Sequence, residues 1–174
     1  MDRTKRLLVL GSLEALTFVA LLSAGELNRA IPAFLGLYFL AFLLYLAAVR
    51  TILNDPHPAS EQPRLVLTVL AFALLFRATL LFSAPSLSDD VFRYVWDGTL
   101  VNHGVNPYQY APGAPELSPL RDALYAGINH KDIGTPYGPV LMGIFAAAQT
   151  VAHSVHEMKI PFLVFDILVI LLLL

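Results

Sequence analysis

Cysteine is absent from this 174-residue chain, which excludes disulfides and thiolate metal sites. Charge is scarce: 14 % of residues are Asp, Glu, Lys or Arg, against about 25 % in a soluble domain. There is no basic excess either, since 11 basic and 13 acidic residues leave a formal charge of −2, so nothing points to nucleic acid. Tryptophan occurs once, at Trp96. No phosphate-cradling glycine loop, no G-x-S-x-G elbow and no H-E-x-x-H ligand spacing occurs in the chain. What fills the space is hydrocarbon: 57 % of residues are hydrophobic. The expected class is an all-α integral membrane protein, a polytopic helix bundle.

Leu7–Ala24, Ile31–Val49 and Leu65–Phe82 are each near the roughly 20 residues needed to cross a bilayer. Pro139–Ala152 reads as a shorter fourth span, and Ile160–Leu174 as a fifth that stops without a polar flank. That ending predicts the N-terminal part of a longer chain, with a short C-terminal anchor as the alternative. Arg3, Lys5 and Arg6 resemble a signal-peptide leader, but the following run carries Glu14 and lacks an A-x-A site, so a retained first span is expected. The expected division is 1–82 as three spans, 83–135 as an external loop, and 136–174 as the remaining spans.

Orientation follows from the basic residues. With the N-terminus inside, Arg3, Lys5, Arg6, Arg50, Arg64 and Lys159 are cytoplasmic, while Arg29, Arg93, Arg121 and Lys131 lie outside. The expected location is a cytoplasmic (inner) membrane, with the long loop periplasmic or extracellular. That loop holds six of the 13 acidic residues and, with Tyr137 at its exit, five of the seven tyrosines. Its aromatic content argues against disorder.

The densest chemistry is Ser88-Asp89-Asp90-Val91-Phe92-Arg93-Tyr94-Val95-Trp96-Asp97-Gly98. Wound at about 100° per residue, Asp89, Arg93, Asp97, Asp90 and Tyr94 share an arc of roughly 140°. Val91, Phe92, Val95, Trp96 and Thr99 take the other. The pattern predicts an amphipathic helix lying on a membrane surface, acidic side toward water. Ser88 suits its start and Gly104 its end. A merely solvated charged face is the alternative. Leu120–Tyr125 is expected to form a second short helix.

Adjacent carboxylates at such a boundary can act as a general base, bind a cation or pair with arginine. Arg93 and Arg77 can grip a phosphate through the planar guanidinium, although Arg77, inside the third span, is equally explained by snorkelling to the interface. Glu14 and Asp166 are intramembrane acids without an identifiable partner. His153 and His156 read as a solvated pair, and His103 and His130 as loop residues able to touch a sugar or to cap.

The ordered series D-D-x-x-R-Y-x-W-D-G from Asp89, G-x-N-P-Y from Gly104 and I-N-H from Ile128 resembles bacterial polytopic mannosyltransferase-like proteins of the GT-C glycosyltransferase superfamily. The likeness runs from about Arg77 to Pro139 and includes Thr135-Pro136-Tyr137-Gly138-Pro139. It implies a multi-span enzyme that passes a mannose-like hexose from a polyprenyl-phosphate-linked donor to a lipid or glycan acceptor hydroxyl, with inversion. By motif position Asp89 resembles the catalytic base and Asp90 its supporting acid. Substrate-contact candidates are Arg77, Arg93, Tyr94, Asn106, Tyr108, His130 and Tyr137. The cofactor is left open: a divalent cation is compatible, but no ligand spacing indicates one. Two departures stand out. Two spans precede the one leading into the loop, where the simplest members have fewer, and the chain stops short of the usual span count. The competing class is a non-enzymatic transporter or assembly subunit whose external acids bind a cation or partner. A transporter would concentrate charge near mid-membrane; here it gathers at one external surface.

Overall fold

The computed structural model describes residues 2–54, 62–151 and 153–173. Among them all regular structure is helical. The chain divides into two compact units, Met1–Leu87 and Ser88–Leu174.

The first unit consists of α1 (Arg3–Ser23), α2 (Ile31–Leu53) and α3 (Pro63–Leu81). All three are long and apolar enough to cross a membrane. Their large apolar side chains, Leu16, Leu43 and Leu67 among them, stay exposed, which is the pattern of helices solvated by lipid. Proline at the start of α2 and α3 costs no hydrogen bond, because the first-turn N–H groups have no intrahelical partner. α1 packs on both others. At Gly11 the contact with α3 is so close that a Cβ would lie 2.6 Å from the Phe72 ring; lacking a hydrophobic drive in lipid, helices rely on such small-residue approaches. Phe18 and Phe76 meet nearby, centroids 5.0 Å apart. The Arg3 guanidinium donates to the Ile52 carbonyl at 2.7 Å, satisfying one of the open carbonyls at the α2 C-terminus.

The second unit is built on α4 (Asp90–Asn102), followed by 3₁₀ turns at Pro115–Leu120 and Leu124–Gly127, then α5 (Pro139–Gln149) and α6 (Lys159–Leu173). The expected fourth span is therefore an 11-residue helix, about 16 Å long at 1.5 Å per residue, roughly half the hydrocarbon thickness. Ala152, its expected end, lies outside the described residues. The single helix expected over Leu120–Tyr125 is replaced by two 3₁₀ turns. Arg121 between them is extended, and from there its guanidinium donates to the carbonyls of Pro112 and Ala114.

α4 separates two small cores. Val95 packs with Met142, Phe145, Ala148 and Met158 on one side. Trp96 and Leu100 pack with Leu117 and Ile128 on the other. The helix ends as expected at Gly104 (φ +72°): Val105 N–H bonds the Leu100 carbonyl and Gly104 N–H that of Val101, both at 2.9 Å, a Schellman pairing. Where α4 crosses α5, a Cβ on Gly98 would sit 2.5 Å from the Phe145 carbonyl oxygen, and Asn102 Nδ2 donates to the Ala146 carbonyl at 3.0 Å.

Backbone on both sides of that crossing leaves no flexible group to yield. Gly98→Ala is expected to lower stability by about 1–3 kcal/mol, the usual cost of overpacking. Gly36→Ala, where a Cβ meets nothing within 4 Å, is expected to leave it unchanged or slightly raised. Thermal unfolding of the two variants in detergent checks the difference.

Candidate active site

The first turn of α4 presents the acidic pair. Asp89 occupies the position before the helix, yet its side chain makes no capping bond. Ser88 does part of the capping instead, its Oγ accepting the Asp90 N–H at 3.2 Å. The Asp89 carboxylate is thus left for another partner, and Asn129 supplies it. Asn129 Nδ2 donates to Asp89 Oδ1 at 2.5 Å and lies 3.4 Å from Asp90 Oδ1. Asp89 is exposed and Asp90 half-buried.

The arc expected to face water is divided. Asp89 does so, but Arg93 is 5 % exposed and Asp97 0 %. The reason is packing on both flanks: with cores against Val95 and against Trp96, one further turn of α4 has no free face left. The two buried charges pair with each other, Arg93 Nε to Asp97 Oδ1 at 3.0 Å. Among the described residues, Arg93 Nη2 and Asp97 Oδ2 find no hydrogen-bond partner. Burial pushes the Asp97 carboxyl above its ordinary range, against the opposing pull of the Thr135 side chain and of Arg93.

Aromatics close the inner side. Tyr94 stacks on Phe145, centroids 4.7 Å apart, and meets Tyr137 edge-on at 5.2 Å. Burial pushes the Tyr137 phenol up, followed by the neighbouring Tyr94 and the nearby carboxylates of Asp90 and Asp97; Tyr137 is therefore a neutral hydrogen-bonding group at working pH. Tyr108 Oη donates to the Tyr137 carbonyl at 2.8 Å. The G-x-N-P-Y segment explains how Tyr108 reaches it: Asn106 Oδ1 accepts the Tyr108 N–H at 3.0 Å, a side-chain-built turn. Asn106 itself is exposed, with this oxygen already engaged.

Asp89, Asp90, Tyr94 and Tyr137 are thus gathered at one place, Arg93 lies beneath them in the same helix, and Tyr108 braces Tyr137. His130 is exposed, next to Asn129, with φ +43°. Arg77 belongs to the first unit, where its Nη1 donates to the Ala73 carbonyl at 2.9 Å. With Glu14, Tyr45 and Thr68 it lines a cavity of about 260 Å³. Asn129 is the residue that pattern reading passed over. The signal was present in the I-N-H motif, but an amide carries no charge and no periodicity to mark it.

His153 takes a structural position. His153 Nε2 meets Asp122 Oδ2 at 2.5 Å, tying the 3₁₀ segment to the chain after α5. Among the described residues no group of three or more His, Asp or Glu side chains is placed to hold a metal ion.

Removing Arg93 leaves Asp97 buried and uncompensated. Arg93→Met is expected to cost about 3–5 kcal/mol at neutral pH. The pH dependence has a definite sign. A carboxyl raised in the folded state contributes its stability below the unfolded value of about 3.9 and loses it as pH rises through the folded value. Without Arg93 the folded value climbs further, so the variant's deficit should widen from pH 4 to pH 7. Unfolding midpoints across that range, compared with the parent chain, check it.

The family model described as alpha-(1->6)-mannopyranosyltransferase, N-terminal domain (MptA_B family), matches residues 8–174. No curated protein and no solved structure matches the chain.

Proposed function

The chain belongs to the alpha-(1->6)-mannopyranosyltransferase family, and from that premise we propose that it transfers mannose from a polyprenyl-phosphate donor at the outer face of the membrane, with inversion and with Asp89 as general base. The acceptor in this reading is a 6-hydroxyl of a mannose-bearing lipid or glycan, as the family's description implies. Asp89 takes the hydroxyl proton as the acceptor oxygen bonds to the sugar's anomeric carbon. The bond from that carbon to the donor's phosphate oxygen breaks, and the lipid phosphate leaves with the electron pair. Attack from the side opposite the leaving group inverts the centre.

One observation carries the assignment of the base. Of the acids at the start of α4 and along it, Asp89 alone is exposed, and its carboxylate is held from one side by Asn129 at 2.5 Å. Asp97 is buried in an ion pair, and Asp90 is half-buried with Tyr137 nearby. Asp90 is the supporting acid. Tyr94 and Tyr137 lie beside the acids, Tyr108 braces Tyr137 from a turn built by Asn106, and His130 follows Asn129 in the chain; in this reading they form the sugar-facing wall. Arg93, buried almost completely, supports the helix from within. Arg77 enters the proposal on chemistry alone, as a guanidinium suited to a lipid phosphate. A divalent cation is not required by this scheme.

General-base catalysis contributes about 10²–10⁴-fold. Asp89→Asn keeps shape and hydrogen-bonding capacity, so turnover should fall by about that factor while folding survives. Sugar transfer is measured with the full chain, a polyprenyl-phosphate mannose and an acceptor extract. Near-normal transfer by a well-folded Asp89→Asn, Asp90→Asn double variant would return the pair to a solvated face.

The proposal also requires residues 83–135 to face outward in an inner membrane, N-terminus inside. The absence of native cysteine makes the test clean. A cysteine at exposed Ser118 should react with an impermeant reagent in intact cells, and one at exposed Asn54 should not. The reverse labelling would overturn the topology and the external donor with it.

A further inference from the structure

We infer that Asn129 is a positioning residue that fixes the orientation of the Asp89 carboxylate; the inference rests on the proposal that Asp89 is the base. Two adjacent acids at the start of a helix repel each other and, on an exposed turn, would sample several rotamers. A primary amide has two N–H donors, and Asn129 Nδ2 stands 2.5 Å from Asp89 Oδ1 and 3.4 Å from Asp90 Oδ1. One nitrogen thereby draws both carboxylates toward it. Oδ1 of Asp89 is occupied, which leaves Oδ2 as the atom available to an acceptor hydroxyl.

The clamp is itself held on both sides. Ile128, the preceding residue, is buried against Trp96, Leu100 and Leu117. His130, the following one, adopts the left-handed backbone at φ +43°, a conformation that costs of order 1–3 kcal/mol for a residue other than glycine. The turn is locked there: Ile133 N–H bonds the His130 carbonyl at 3.0 Å, and Gly113 N–H bonds the Lys131 carbonyl at 2.6 Å. A strained turn held in place beside the acidic pair serves to aim the one side chain between its two anchors. The loop segment from Ile128 to Lys131 and the first turn of α4 are far apart in sequence, so the clamp exists only in the folded unit.

A displaced base loses rate far more than affinity. Asn129→Ala in the full chain is expected to lower kcat roughly 10- to 100-fold, with KM for the polyprenyl-phosphate mannose held within about two-fold. Combined with Asp89→Asn, it should cost nothing further, because the group it positions is gone. Asn129→Asp, equal in size but carrying a third carboxylate, should fall at least as far as Asn129→Ala. A well-folded Asn129→Ala with near-normal kcat, or one whose loss multiplies in full on Asp89→Asn, overturns the inference. If Asn129→Ala does not fold, Asn129→Asp answers alone, and near-normal kcat there overturns it equally. The two readings fail separately. An active Asp89→Asn removes the base, whereas an inactive Asp89→Asn beside a normal Asn129→Ala removes only the positioning role.

Discussion

The second unit depends on the contact of two helix backbones at Gly98. A side chain as small as methyl cannot enter between α4 and the Phe145–Ala146 peptide of α5. Because the helices touch there, Tyr94 can lie flat on Phe145 one turn earlier, and Asn102 can reach the Ala146 carbonyl one turn later. Three contacts at successive turns fix the rotation of α4 about its own axis. That rotation decides which of its polar residues meets water and which is driven into the interior.

The consequence is a buried ion pair that is weak as a source of stability. Arg93 and Asp97 each lose hydration and regain one short contact, while Arg93 Nη2 and Asp97 Oδ2 remain without a hydrogen bond among the described residues. Desolvation of this kind commonly equals or exceeds the Coulomb gain. What the pair does achieve is registry: a rotation of α4 would expose Trp96 and Leu100 while leaving two charges facing apolar neighbours. The pull of the Thr135 side chain on the Asp97 carboxyl and the closeness of Asp90 and Asp97 to Tyr137 extend that registry to the segment leading into α5. The acidic pair thus stands on a helix that cannot turn, beneath a loop that cannot drift.

Loop order comes from cations and rings as much as from hydrogen bonds. Arg121 lies over the Tyr125 ring at 4.8 Å and the Lys131 ammonium at 5.0 Å from the same ring, and Tyr125 in turn packs against Trp96, 5.2 Å away. A stretch without long helices is fastened to the core through its aromatic residues. This is why the tyrosine-rich composition of the loop was a sound sign of order, and why one tryptophan sufficed to anchor it. Membership of a mannosyltransferase family places this ordered acidic surface in a transferase rather than in a transporter or assembly subunit.

Hydropathy alone determined the all-helical class and the three long apolar helices, since a segment in lipid must satisfy its backbone internally whatever surrounds it. Local chemistry determined the end of α4 at Gly104, because only its positive φ closes the last turn without strain. The acidic motif and its family likeness were also legible, being properties of residue order. Periodicity failed at Arg93 and Asp97: a helical wheel counts polar residues on an arc but cannot see α5 and the 3₁₀ turns arriving on both flanks. It failed again at Leu120–Tyr125, where Arg121 abandons the helix to reach carbonyls of its own loop. Asn129 was invisible for the same reason, because its meaning lies in Asp89 and Asp90, some 40 residues away in sequence. Short-range patterns are written in the chain, whereas the partner of a polar group is chosen only when distant segments close upon it.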